Sequence, residues 1–362
     1  MHRLIAGEVY MHRLIASSAI LEHELSEFRL LVERRAGIVL DCPNSALATH
    51  LMEFFEAQHL DSATVLQDQL RASDQDSILP QLLDGVLNTN TGFFRHPGAL
   101  GALTRQVLPQ LYARKASEGC SPLRIWSAGC ATGEEAYSIA MAVSDAIPSL
   151  GNPNCGNNGP GSGNASNGSA GSGKSPTGRT GGIADTSQGS AQNSSQGWSV
   201  HIVGSDLLPS AIEVAERGLY PQSAVGGVPP AVIRTCFSKV GCLQTSQNGS
   251  QSRSQTGSTS ASHLLVKPRL RSLVTFNTMN LARPGYIGRF DCIFCMDVLP
   301  HFSRAQRLAL LERLHLYLEP GGYLFLGQTE KLTAPNLNFR PETFDGYTFH
   351  RKPVAASAAY GR

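Results

Sequence analysis

Apolar positions in this chain change character near residue 121, from a helical period to short solid runs. Between residues 11 and 85 they recur at Leu25, Phe28, Leu31 and Val32 with charges between them, and Asp61-Ser-Ala-Thr-Val-Leu-Gln67 starts a further short helix. No strand-like alternation interrupts this stretch, so a small helical N-terminal domain is expected over 11–85. Beyond it, Leu123–Trp126 reads as a buried strand. Glu134–Ile147 reads as a helix with Ile139, Ala140, Val143 and Ile147 on one face. Val200–Gly204 is a second strand, followed by a helix from Pro209, a favoured first-turn residue, to Arg217, with Gly218 as its stop. Leu264-Leu-Val266 and Leu273-Val-Thr-Phe276 are strand-like and fall in a small separate β unit over 222–275. Phe290–Met296 is a strand. Ser303 and Gln306 fit a capping box ahead of a helix whose stripe is Leu308, Leu311, Leu314 and Leu318. Pro320-Gly-Gly322 turns the chain into a strand at Tyr323–Gly327, and Tyr347–His350 reads as an edge strand. Strand and helix alternate, which predicts an α/β fold with a mostly parallel sheet and helices on both faces.

Two blocks break the pattern. Residues 151–197 are Gly, Ser and Asn with almost nothing apolar, and cannot offset their ordering entropy, so a disordered insert is expected. A second polar insert, 244–262, reads as an overgrown hairpin loop within the small β unit. The 41% of hydrophobic residues therefore concentrate in the rest of the 362-residue chain, enough for a real core. Net charge is +2 with no long basic run, so nucleic acid is not an expected partner. No apolar run approaches the ~18 residues that span a bilayer, so membrane insertion is not expected either. Met1-His-Arg-Leu-Ile-Ala6 recurs at Met11–Ala16, which suggests an alternative start site, and it lacks the apolar core of a signal peptide. The eight cysteines are irregularly spaced. Cys292 and Cys295 sit three apart on a strand and so face opposite ways. No metal site follows, and a reduced, cytoplasmic protein is expected.

The run most loaded with chemistry is Arg124–Ile139. A strand ends in a small-residue loop that opens directly into a helix, the arrangement that makes a nucleotide-sized pocket in α/β proteins. Gly129 and Gly133 remove side chains where a ligand approaches the backbone. Their G-x-x-x-G spacing is not that of dinucleotide binders. Glu134-Glu135 stands where a phosphate binder has no negative charge, so a cationic or zwitterionic ligand is expected; a tight turn without ligand is the alternative. Asp206 ends the second strand, where a carboxylate can accept both hydroxyls of a ribose or serve as a helix N-cap. Asn280-Leu281 suits an adenine ring, or is a plain loop asparagine with its neighbour. In Thr89-Asn-Thr-Gly-Phe-Phe-Arg95 the arginine can fork onto a carboxylate. The alternative puts Phe93 and Phe94 in a core and Arg95 in a surface ion pair.

Together these runs resemble the CheR-type chemotaxis-receptor glutamate O-methyltransferases. Thr91–Arg95 is similar to the family's T-x-F-F-R segment, Trp126–Tyr137 to its cofactor loop, Gly204-Ser-Asp206 to its ribose segment, and Phe290–Cys295 through Pro320–Gly327 to its C-terminal half. The resemblance implies a Rossmann-like class I methyltransferase sheet over 86–355, a helical N-terminal domain and a small inserted antiparallel β subdomain. It implies S-adenosyl-L-methionine as cofactor and the cytoplasmic domain of chemoreceptors as partner, with the enzyme a monomer. Cofactor contacts would fall on Thr89, Thr91, Arg95, Gly129, Gly133, Glu135, Asp206, Asn280, Leu281, Asp297 and Val298, and roles at the reacting end on Arg95 and His301. Three departures stand out. An asparagine expected at position 89 is Thr89, with Asn90 beside it. The family's N-V-x-x-Y-F run is Asp297-Val-Leu-Pro-His-Phe302. The stretch matching its arginine-rich docking helix, Ala46–Glu56, has two glutamates and no arginine. A receptor methyltransferase, a cofactor-binding scaffold without activity, and a methyltransferase with another acceptor all remain open.

Overall fold

The computed structural model describes residues 22–59, 78–87, 91–117, 121–150, 199–240, 263–285 and 288–354. The repeat at Met1 and Met11, the helix expected at Asp61, Thr89 and both polar blocks lie outside the described residues.

Helices α1 (Glu22–Ala36), α2 (Asn44–Gln58) and α3 (Ile78–Leu83) come first. The period read from sequence is the buried one: Leu25, Phe28, Leu31 and Val32 are all in the core. Next, α4 (Pro97–Ala102) runs through a π-helical turn, Leu103–Val107, into α5 (Leu108–Ser117). Strand β1 (Leu123–Ala128) leads to α6 (Glu134–Leu150), and β2 (Val200–Asp206) to α7 (Pro209–Arg217). Gly218 ends α7 with φ 60°, as its C-terminal position requires.

A small three-stranded antiparallel sheet follows. It holds β3 (Leu219–Pro221), β4 (Phe237–Val240) and β5 (His263–Val266), in the order β3-β5-β4, with α8 (Pro230–Cys236) leading into β4. After α9 (Pro268–Arg271) comes β6 (Val274–Thr278). The sequence placed 273–276 in the small unit. In the structure Val274–Thr278 pairs in parallel with Ile202–Asp206 and forms an edge of the main sheet. Its partly exposed side chains hide that membership from a pattern search.

The main sheet is completed by β7 (Phe290–Cys295), helix α10 (Arg304–Tyr317), β8 (Leu318–Leu326), β9 (Arg340–Phe344) and β10 (Tyr347–Arg351). Its seven strands run β6-β2-β1-β7-β8-β10-β9. The first five are parallel, and the β9–β10 hairpin is antiparallel. Tyr347–His350 is therefore one strand in from the edge, which β9 occupies. Two details of α10 also differ from expectation. Ser303 is its N-cap residue, yet makes no side-chain capping bond. Leu308 is exposed, and Leu310, Leu311, Leu314 and Tyr317 carry the buried face.

Each face of the sheet has its own core. One packs α1, α2, α3 and α10 against Trp126, Phe290, Ile293 and Cys295. The other packs α4, α5, α6 and the small sheet against Ile125, Cys292 and Phe294. Cys292 and Cys295 thus lie on opposite faces, as the strand period requires.

Candidate functional site

In this strand order β1 has β2 on one side and β7 on the other. The chain builds outward from β1 through β2 to β6, then returns to lay β7 and β8 on the far side. The carboxyl ends of the central strands diverge at such a switch point and leave a crevice. The protein has an open cleft there, about 1160 Å³ including its mouth, lined by the ends of β1, β2, β6 and β7 and by the segments from Thr91 and Ile38.

The floor is the β1–α6 loop. Gly129 and Cys130 donate backbone N–H bonds to the Ser205 carbonyl at 2.8 and 2.9 Å, which ties β1 to β2. Gly129 has φ +84°, and a Cβ there would lie 2.5 Å from Val298 Cγ2. The space a side chain would take is filled by Val298, which packs directly on the Gly129 backbone. Gly133 plays another part. It does not line the cleft; its φ is +92°, and a Cβ would lie 2.7 Å from Ala215 Cβ. It lets the loop pack on α7. Strained backbone gathers here. Of the five non-glycine residues with positive φ among those described, Phe94, Ala131 and Asp297 line the cleft.

Three carboxylates face this space. Asp206 accepts the Ala131 N–H on Oδ2 (2.9 Å) and the Leu208 N–H on Oδ1 (3.0 Å). It is not the cap of α7, whose N-cap is Leu208. Burial raises its pKa, and backbone hydrogen bonds from Leu208, Ala131 and Leu207 oppose that shift. Glu135 accepts a 2.6 Å bond from the Ser127 hydroxyl. Burial pushes its pKa up to about 7, helped by the charges of Asp297 and Glu330. Glu134, the other half of the acidic pair, turns inward: it is buried and bonded by Thr132 at 2.7 Å and by Thr91.

The third carboxylate is Asp297, at the end of β7. Its Oδ2 lies 3.3 Å from Arg95 Nη2 and 3.3 Å from His96 Nε2. Burial lowers the His96 pKa, and the Asp297 charge opposes that shift. The neighbouring segment divides in two. Phe93 packs edge-on against Tyr220 and Phe237 in the core, while Phe94 lines the cleft with its N–H bonded to Ser138 Oγ at 2.9 Å.

His301 reaches the cleft from a different direction. Pro300 sits in a 3-10 turn, Leu299–His301, whose end docks on the segment between α1 and α2: Val39 N–H bonds the His301 carbonyl at 2.8 Å and Ile38 bridges Phe302. The electrostatic effect of this imidazole on Asp206 is the smallest of those that set that carboxyl's pKa, after burial and the backbone hydrogen bonds. Asn280 lines the cleft, yet its amide is engaged within the chain. Oδ1 accepts the Ala282 N–H (2.8 Å) and Nδ2 donates to the Arg35 carbonyl (3.3 Å). Leu281 is buried beside it.

Of the candidate residues, Thr91, Arg95, Gly129, Glu135, Asp206, Asn280, Leu281, Asp297, Val298 and His301 converge on this cleft. Sequence reasoning missed His96, Ser138 and Met296, which also line it. A histidine directly after Thr91–Arg95 was the available signal for the first. Three acids and one guanidinium around a glycine floor suit a ligand carrying positive charge along with hydroxyls, and suit a pyrophosphate poorly.

Comparison with known proteins agrees with this geometry. The model of the CheR methyltransferase SAM-binding domain matches residues 89–154 and 186–347. Chemotaxis protein methyltransferase 1 of Pseudomonas aeruginosa is 29% identical over 87% of this chain and 92% of its own length. A chemotaxis protein methyltransferase of Pseudomonas putida is 25% identical over 86% of this chain and 91% of its own. That of Vibrio parahaemolyticus is 26% identical over 87% and 91%. The family match spans the glycine loop, the Asp206 strand end and the 297–302 turn alike, and the chain belongs to the CheR methyltransferase family, whose cofactor is S-adenosylmethionine.

Proposed function

We propose that this protein transfers the methyl group of S-adenosylmethionine to glutamate side chains of chemoreceptors, giving methyl esters. The observation that carries the reading is the cleft itself. Its glycine floor lies between Asp206 and Glu135, and it has a single arginine at one end. The names of the related chemotaxis methyltransferases support the chemotaxis setting.

The cofactor supplies an electrophilic methyl on a positively charged sulfonium. A glutamate acceptor is already ionised at neutral pH, so the protein needs no general base. Attack by a carboxylate neutralises both charges, so a dry site and correct alignment provide most of the rate. Asp206, which lines the cleft, accepts the ribose hydroxyls, and backbone N–H bonds from Ala131 and Leu208 hold it still. Glu135, once ionised, offers its charge to the ammonium of the methionine portion. Gly129 and the Val298 side chain packed on it form one wall for the flat adenosyl body, and Arg95 anchors an incoming carboxylate.

One observation favours a second reading, a cofactor-binding regulator without turnover. Asp297 already sits on Arg95, where an acceptor carboxylate would bind. Incubation with labelled cofactor and chemoreceptor cytoplasmic fragments separates the two. A base-labile label on receptor glutamate supports methyl transfer. Tight binding of S-adenosylhomocysteine with no label on the receptor supports the regulator.

A further inference from the structure

Glu330 follows β8 and lies outside the cleft lining. Gly327-Gln-Thr-Glu330 forms a tight turn in which the Glu330 N–H bonds the Gly327 carbonyl at 2.9 Å. That turn aims the carboxylate back at the end of β7. Oε2 accepts the N–H of Asp297 at 3.0 Å and that of Gly327 at 2.5 Å, and Oε1 accepts the N–H of Leu299 at 2.9 Å. Three backbone donors of two neighbouring loops thus share one side chain.

Two further facts show how specific the arrangement is. Asp297 holds φ +58°, which a non-glycine residue keeps only when its surroundings dictate it. Gly327 is the neighbour on which this depends: a Cβ there would lie 2.3 Å from Asp297 Oδ1 and 2.8 Å from Glu330 Oε2. A carboxylate is the side chain this job needs, because both of its oxygens accept and neither donates. It is kept although burial raises its pKa and it adds a negative charge near Asp297. Its contribution to the site is therefore geometric.

We propose that Glu330 is a positioning residue of the methyl-transfer site. It locks the backbone of the Asp297–Leu299 loop so that Val298 packs over Gly129 and the end of β7 keeps its shape, whichever group the Asp297 side chain carries. The assignment rests on the proposed function for what the loop does, but the locking itself can be measured without ligand. Glu330→Gln keeps the shape and turns one acceptor into a donor. Gly327→Ala keeps the Glu330 side chain and pushes on both carboxylates, Asp297 and Glu330. Glu312→Gln, on an exposed position of α10, is the control.

Hydrogen exchange of the unliganded protein reads the lock. In both test variants the loop amides, Asp297 and Leu299 among them, should exchange at least about tenfold faster, while β1 and β7 keep parental protection. By NMR, the His96 titration should move to lower pH as the opposing Asp297 charge withdraws. Turnover should fall about tenfold to a hundredfold with cofactor KM within a few-fold, because the reacting end is displaced and the Asp206 end is not. Glu312→Gln should change none of these. Unchanged loop exchange and an unchanged His96 titration in both variants overturn the proposal, as does loosened exchange with parental turnover. Loss of loop protection in the two variants, when the parent binds no S-adenosylhomocysteine, supports the lock and removes the methyltransferase reading instead.

Discussion

Glu135→Gln tests the charge logic of the cleft. In the unliganded protein, burial raises the carboxyl pKa from 4.5 to about 7. At ~1.4 kcal/mol per pH unit, keeping this group ionised above pH 7 costs the fold up to roughly 3 kcal/mol. The Glu135 side chain lines the open cleft and is only partly buried there, so about 1–3 kcal/mol is the working figure. The sign follows from the raised value. The protonated acid's favourable contribution is complete below pH 4.5 and is lost as pH rises through 7. Glutamine carries no such penalty and can still accept the Ser127 bond. The variant should therefore be more stable than the parent by about 1–3 kcal/mol at pH 8, and equal within about 0.5 kcal/mol at pH 4.5. Urea unfolding at both pH values reads this directly. Binding should move the other way. Loss of a charged partner for the ligand ammonium should weaken S-adenosylhomocysteine about tenfold to a hundredfold at pH 8. Parental affinity should drop by up to about tenfold per pH unit below 7, where the variant's stays flat. A variant that binds as tightly as the parent at pH 8, or is less stable there than at pH 4.5 relative to it, refutes the assignment.

Other positions give separate tests. Gly129→Ala adds a Cβ against Val298 at φ +84°, so it should cost about 1–3 kcal/mol of stability and abolish tight S-adenosylhomocysteine binding by calorimetry. Asp206→Asn should weaken the same ligand at least about tenfold, read by the same titration, because an amide cannot accept as a carboxylate does from Ala131, Leu208 and ribose together. Asp297→Asn removes the internal carboxylate from Arg95. Methyl transfer to receptor fragments should rise several-fold, and an unchanged or lower rate contradicts the view that Asp297 occupies the acceptor's seat. Asp291 lies far from the cleft, buried between Arg114 (3.1 Å) and Lys115 (3.0 Å) and accepting the Arg124 N–H. Asp291→Ala leaves a buried lysine unpaired and should cost about 3–5 kcal/mol in denaturant unfolding.

Much of this molecule was legible in its sequence because its signals are local. The helical period of α1, the solid apolar runs of β1 and β7 and the small-residue loop at Gly129 are each written in consecutive residues. The parts that escaped depend on distant partners. The outer strand Arg340–Phe344 begins with a charge and a proline and is largely exposed. Only the Asp345-Gly346 turn, both residues at positive φ, betrays a hairpin. The strand Val274–Thr278 reveals its sheet only through its register with β2. In the site, Gly133 and Gly129 look alike in sequence yet face α7 and the cleft respectively. Asp297 reads as a lost amide until its contact with Arg95 and His96 is seen. Glu330 carries no motif, because its partners are backbone N–H groups of loops defined by the fold.

The central claim is that this cleft binds an adenosyl sulfonium cofactor. Titration of the parent protein with S-adenosylhomocysteine at pH 8 by calorimetry tests it most directly. A single-site isotherm with a dissociation constant in the micromolar range is predicted, the usual scale for ligands of this size. Absence of heat together with no displacement of S-adenosylmethionine at millimolar concentration would contradict it.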